Sequence, residues 1–100
     1  MRYDKLVRDN IPDIIVRIGR TPITHVADDA EYWTKLKEKL REEVDEFMEK
    51  PDILEVADIL EVVEAICDYK KFGADDVQAA KTKKAEERGR FGKRIILEES

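Results

Sequence analysis

The sequence predicts an all-α protein built on an antiparallel helical hairpin, and three observations carry that expectation. Trp33, Leu36, Leu40, Val44 and Phe47 recur three or four residues apart, the period of one helical stripe. Pro51 then breaks the pattern, because it lacks a backbone donor and biases Lys50 away from the α region. From Ile53 to Ile66 the apolar residues spread around most of a helical cylinder, as expected of a second helix buried on several sides. Helices joined by so short a link fold back on each other.

The remaining elements follow in chain order. Pro12 suits the first turn of a short helix over residues 11–18, which Gly19 ends. Residues 21–29 read as a connector with β-prone residues at 22–26, closing on Asp28 and Asp29 as cap candidates. The first long helix runs from Ala30 to about Lys50, and Pro51 opens the second in its first turn. Lys70 and Lys71 mark the last turn of that second helix, with Gly73 just beyond as its stop. Asp75 can cap a further helix over residues 76–88, largely polar, which Gly89 stops. A glycine-punctuated basic loop then leads into a β-prone run at 93–97.

Composition narrows the function classes. One hundred residues fit a single domain spanning 1–100, small enough that subunit contacts are expected to complete its core. A net charge of −5 with no long basic run argues against gripping a nucleic-acid polymer. The N-terminal twenty residues are too charged for a signal peptide, and no apolar run reaches the roughly 20 residues of a membrane span. The lone Cys67 sits in an apolar helical run and reads as a small core residue, so a reduced, cytoplasmic protein with no membrane partner is expected.

Chemistry concentrates in the acidic residues of the hairpin. Glu42, Glu43 and Glu46 spell E-E-x-x-E on the first long helix, and Glu55 with Asp58 spells E-x-x-D on the second. Residues three apart are neighbours on a helix surface, so each pair aims its oxygens at one place. A fold-back at Lys50-Pro51 sets Glu46 level with Glu55 and Glu43 level with Asp58. At about 100° per residue, Glu55 falls between Val62 and Ile66, and Glu43 lies at the edge of the Trp33–Phe47 stripe. Carboxylates aimed near a core need compensation, either from Lys or Arg elsewhere in the chain or from metal, and hard divalent cations such as Mg²⁺ prefer such oxygens. Glu43, Glu46, Glu55 and Asp58 are therefore read as metal ligands. Glu49, Glu61, Glu64 and Asp68 lack matched partners and read as surface charges. A di-iron bundle is excluded, since the required Glu-x-x-His pairs are missing.

The chain resembles a known family over nearly its whole length. The run Tyr3-Asp4-Lys5-Leu6-Val7-Arg8-Asp9-Asn10-Ile11-Pro12, the two acidic motifs, and Glu87-Arg88-Gly89-Arg90-Phe91 are similar to small MazG-like proteins related to phosphoribosyl-ATP pyrophosphohydrolase, in the all-α nucleoside triphosphate pyrophosphatase superfamily. That resemblance implies an oligomeric helical bundle, either a homo-dimer or a homo-tetramer. It also implies hydrolysis of an α–β phosphoanhydride to a nucleoside monophosphate and pyrophosphate, dependent on Mg²⁺ with Mn²⁺ as the alternative. Glu43, Glu46, Glu55 and Asp58 match the family's ligand positions, and Glu42 or Glu46 would orient or deprotonate the attacking water. Eight residues separate Glu46 from Glu55, fewer than is usual between the two motifs in this superfamily. Lys84, Arg88, Arg90 and Lys93, followed by Lys5 and Arg8, are the candidates for binding substrate phosphates.

Two alternatives stand beside this reading. One is a dedicated phosphoribosyl-ATP pyrophosphohydrolase of histidine biosynthesis, with the same chemistry on a narrower substrate. The other is a non-catalytic helical dimerisation module whose acidic cluster is only a charged surface. Trp33 reads as a core or interface residue ahead of a base-stacking one, and His25 as neither ligand nor base.

Overall fold

The computed structural model describes residues 4–100, so Tyr3 of the N-terminal motif lies outside the described residues. Its architecture is all-α, with α1 (Ile11–Arg17), α2 (Asp29–Glu49), α3 (Ile53–Lys70) and α4 (Ala74–Arg88) in order. No helix is long and apolar enough to cross a membrane.

Capping chemistry sets the boundaries of the hairpin. The Asp28 side chain accepts from the Glu31 N–H at 2.9 Å and starts α2. The Asp52 side chain accepts from the Glu55 N–H at 3.0 Å and starts α3, so Pro51 stands before the cap and not in the helix's first turn. A carboxylate that satisfies an orphan N–H is the better starting point. At the far end of α3 the expectation shifts again. Lys71, not Gly73, takes up the left-handed conformation (φ 61°, ψ 36°), and the Phe72 N–H returns to the Cys67 carbonyl at 2.8 Å. Gly73 becomes the N-cap of α4, while Asp75 lies inside its first turn.

Helices α2 and α3 pack on each other and hold the core. Leu36 is 1% exposed and Val62 is also buried, with Leu40, Val44, Phe47, Ile59 and Ile66 half-buried around them. The hairpin's open end is closed by aromatic contacts. Tyr69 stacks on Trp33 at 5.6 Å between centroids, meets Tyr32 edge-on, and donates its hydroxyl to the Asp29 carbonyl at 3.2 Å. Lys37 and Lys70 lie over the Trp33 ring, so this tryptophan works inside the hairpin.

Two expectations fail for one reason, a shortage of partners within the chain. Helix α3 is buried on one side only: Ile53, Leu54, Val56, Leu60 and Val63 are all exposed. The strands expected at 22–26 and 93–97 do not form among the described residues. Neither segment finds a neighbour to complete a ladder among the described residues, Pro22 lacks a donor, and Ile23, Val26, Ile95, Ile96 and Leu97 are exposed. Helix α4, with Val77 and Ala85 as its half-buried members, does not pack on the hairpin as α2 and α3 pack on each other. The Cα radius of gyration is 17.9 Å, against about 13 Å for a compact domain of this length.

Candidate metal centre

The turn between α2 and α3 brings the two acidic motifs together. Glu43 and Glu46 come from the last turns of α2, and Glu55 and Asp58 from the first turns of α3. One carboxylate oxygen from each of these four residues lies within 4.8 Å of the others. The four carboxylates that the mirror register predicts to meet are together in the fold.

Each helix delivers its carboxylates for a local reason. Asp52 and Glu55 have the spacing of a capping box, in which Glu55 would turn back to the Asp52 N–H. The Asp52 N–H instead bonds to the Lys50 carbonyl at 2.9 Å, and Glu55 is left with a buried Oε2 that has no partner. Glu43 is 6% exposed, and its Oε2 is likewise buried and unpartnered. Its Oε1 lies 3.5 Å from the Lys39 ammonium, one turn back on α2. Burial raises the Glu43 carboxyl above its ordinary value, Glu46 and Asp58 push the same way, and Lys39 opposes them.

Counter-charges reach the group from two directions. Arg8, from the segment before α1, donates from Nη2 to Asp58 Oδ1 at 2.8 Å. Lys5 lies 3.2 Å from Glu42, which also takes Lys39 at 3.4 Å. Burial alone would raise the Glu42 carboxyl, but the two lysines outweigh it and hold it below the ordinary value. Glu42 is therefore a paired anion beside the group of four, not a member of it. Among the described residues the five carboxylates meet three cations, leaving a formal charge of −2.

That donor set suits a hard divalent cation. All four donors are carboxylate oxygens, no sulfur or imidazole is among them, and two buried oxygens lack any partner among the described residues. Opposite ligands of an octahedral Mg²⁺ stand about 4.2 Å apart, so small side-chain rotations would close the set. Glu43, Glu46, Glu55 and Asp58 could hold the ion.

Two cavities border the site. One, of 240 Å³, is lined by Val7, Arg8, Ile11, Lys39, Glu43 and Asp58. The other, of 440 Å³, is an open groove where Glu38, Glu42, Asp45, Glu46 and Glu49 outnumber Lys5 and Arg41. The second would repel a phosphate chain, whereas the first sets two cations against two carboxylates. Of the candidate phosphate binders, Lys5 and Arg8 stand at the site. Lys84, Arg88, Arg90 and Lys93 are exposed on α4 and the tail, outside both cavities. His25 pairs with Glu31 at 2.8 Å, away from the group. Lys39 is a site residue that the sequence analysis missed, although its i,i+3 and i,i+4 spacing to Glu42 and Glu43 was available as a signal.

Comparison with known proteins adds little. No family model matches the chain, and no solved structure matches it. An uncharacterized protein of Mycolicibacterium smegmatis (strain ATCC 700084 / mc(2)155) is 52% identical over 42 residues, which is 42% of this chain and 43% of that protein. The chain thus spans less than half the length of the curated relative it matches.

Proposed function

We propose that this protein is a Mg²⁺-dependent nucleoside triphosphate pyrophosphohydrolase of the MazG-like kind, releasing a nucleoside monophosphate and pyrophosphate. The observation that carries the reading is Glu43, a nearly fully buried carboxylate whose second oxygen has no partner and which faces three more carboxylates. A solvated acidic surface does not need such a residue, because an uncompensated buried charge is costly.

Bound in the group, Mg²⁺ would supply charge neutralisation for phosphate oxygens and a more acidic water. The chain's own residues divide the remaining work. Glu46 is exposed at the edge of the group and meets no cation among the described residues, so it is placed to orient a water and accept its proton. Glu42, held low by Lys5 and Lys39, is the weaker base and serves to anchor Lys5. The water oxygen bonds to the α-phosphorus and the bond to the bridging oxygen of pyrophosphate breaks, so no covalent enzyme intermediate is required. Arg8 and Lys39 offer positive charge on the side where the phosphates would lie.

The active form is a homo-dimer or homo-tetramer working in the cytoplasm. Supporting the assembly are the exposed apolar face of α3 and the open, extended single chain. Lys84, Arg88, Arg90 and Lys93, exposed and outside both cavities, bind phosphate only if such an assembly brings them to a neighbouring chain's site.

The test is pyrophosphate release from a panel of ordinary and damaged nucleoside triphosphates and phosphoribosyl-ATP, with and without Mg²⁺. Release that needs both Mg²⁺ and Glu43 supports the proposal, and the preferred substrate separates a nucleotide-pool enzyme from a histidine-pathway one. Silence across the panel, with Glu43→Gln indistinguishable from the parent, overturns it in favour of the dimerisation module.

A further inference from the structure

Among the four grouped carboxylates, Asp58 is the one whose counter-ion comes from outside the hairpin. Arg8 reaches it across fifty positions of sequence through one hydrogen bond, with both side chains more than a third exposed. Exposed ion pairs of that kind hold weakly. The guanidinium has five N–H donors in a planar fork. Arg8 also lines a cavity together with Val7, Ile11, Lys39, Glu43 and Asp58. At 240 Å³ this cavity lies below the range of whole-ligand pockets, so it fits a piece of a ligand. Its charges select the piece. Two cations attract a phosphate group, while Glu43 and Asp58 repel it unless a metal cation intervenes.

We infer that Arg8 is an exchangeable counter-ion of the site, closing on Asp58 when no divalent cation is bound and transferring to a diphosphate group when one is. The inference rests on the metal-dependent reading above and adds a role to it. A guanidinium on Asp58 Oδ1 and a divalent cation in the group of four would be like charges sharing one carboxylate, so the two compete for it. Once displaced, the guanidinium keeps its place on the cavity wall and can take two phosphate oxygens side by side. Arg8 therefore opposes bare cation binding and favours the cation together with pyrophosphate. The order of loading follows, and the docking of the N-terminal segment becomes linked reciprocally to occupancy of the carboxylates.

The experiment is calorimetry on the full chain with Arg8→Gln and Arg8→Lys, using Mn²⁺ alone and then inorganic pyrophosphate at saturating Mn²⁺. Arg8 is exposed, so neither variant should disturb folding. Arg8→Gln is expected to bind Mn²⁺ alone about 3- to 10-fold more tightly, since one competing positive charge is gone. It should bind pyrophosphate at least about 10-fold more weakly, the loss of a charge-assisted hydrogen bond. Arg8→Lys should restore the parental Mn²⁺ affinity but only part of the pyrophosphate affinity, because an ammonium lacks the fork. Hydrogen exchange at residues 4–10 should rise with Mn²⁺ alone and fall again with pyrophosphate. Equal changes of one sign in both affinities, or no change in either, would overturn the exchange while leaving the metal reading intact. Failure of the parent chain to bind Mn²⁺ would overturn the metal reading itself, and the exchange with it.

Discussion

Replacing Glu43 by Gln separates a stability cost from a function. At pH 7 the carboxylate is buried with three carboxylate neighbours within 4.8 Å and one ammonium at 3.5 Å. With an effective dielectric constant of about 20, a repulsion at 4.8 Å is worth about 3.5 kcal/mol and the attraction at 3.5 Å about 4.7 kcal/mol. Three repulsions less one attraction leave about 6 kcal/mol against the ionised form, before Arg8 on Asp58 offsets part of it. The cost of protonating Glu43 sets an upper limit to that penalty. From an ordinary value of 4.5, protonation at pH 7 costs at most about 3.4 kcal/mol. Glu43→Gln is therefore expected to stabilise the metal-free protein by about 1 to 3 kcal/mol. At about 4 to 8 °C per kcal/mol for a domain of this size, that is a rise in Tm of several degrees or more.

The sign of the pH dependence follows. Because the folded carboxyl titrates above 4.5, the native state binds more protons than the unfolded chain, and the parent loses stability as pH rises from 4.5 through the folded value. The Gln variant lacks that loss. Adding Mg²⁺ should raise the parent's Tm increasingly with pH, because the ligand must be ionised, and should leave Glu43→Gln almost unmoved. Thermal denaturation between pH 5 and 8, with and without Mg²⁺, reads all of this. A metal-free Glu43→Gln less stable than the parent would refute the reasoning, since it would mean that the carboxylate is already satisfied.

Three further outcomes follow from the fold. Asp52→Ala removes the cap that phases Glu55 and Asp58, and should cost about 1 kcal/mol in denaturant unfolding while weakening Mg²⁺ binding. Lys71→Gly relieves a left-handed residue, and should gain up to about 1 kcal/mol in the same measurement. Leu60→Glu charges the exposed apolar face of α3, and should lower the oligomeric state seen in sedimentation. A purely monomeric parent would contradict the proposed assembly.

Legibility in the sequence tracked the range of the forces involved. The hairpin could be read because its determinants are local: a stripe of period 3.6, a proline, and carboxylates three apart. Their mirrored positions about the turn then foretold which residues meet. Local chemistry could still be misread, as at Pro51, where Asp52 offers the better cap, and at Lys71, which takes up the left-handed turn that Gly73 was expected to supply. Placement of Arg8 on Asp58 was not legible, because an ion pair between residues fifty apart leaves no periodic trace. Lys39 could have been found from its spacing alone. The segments 22–26 and 93–97 show the opposite limit. β-propensity marks residues that suit a sheet, but it cannot supply the partner strand a ladder requires.

The central claim is that Glu43, Glu46, Glu55 and Asp58 form one divalent-cation site. Titration calorimetry of Mg²⁺ and Mn²⁺ into the parent chain, Glu43→Gln, Asp58→Asn and the surface control Glu61→Gln tests it most directly. Saturable binding with proton release is expected in the parent and in Glu61→Gln, and its loss in the other two variants. Binding that survives both Glu43→Gln and Asp58→Asn, or none in the parent, would contradict it.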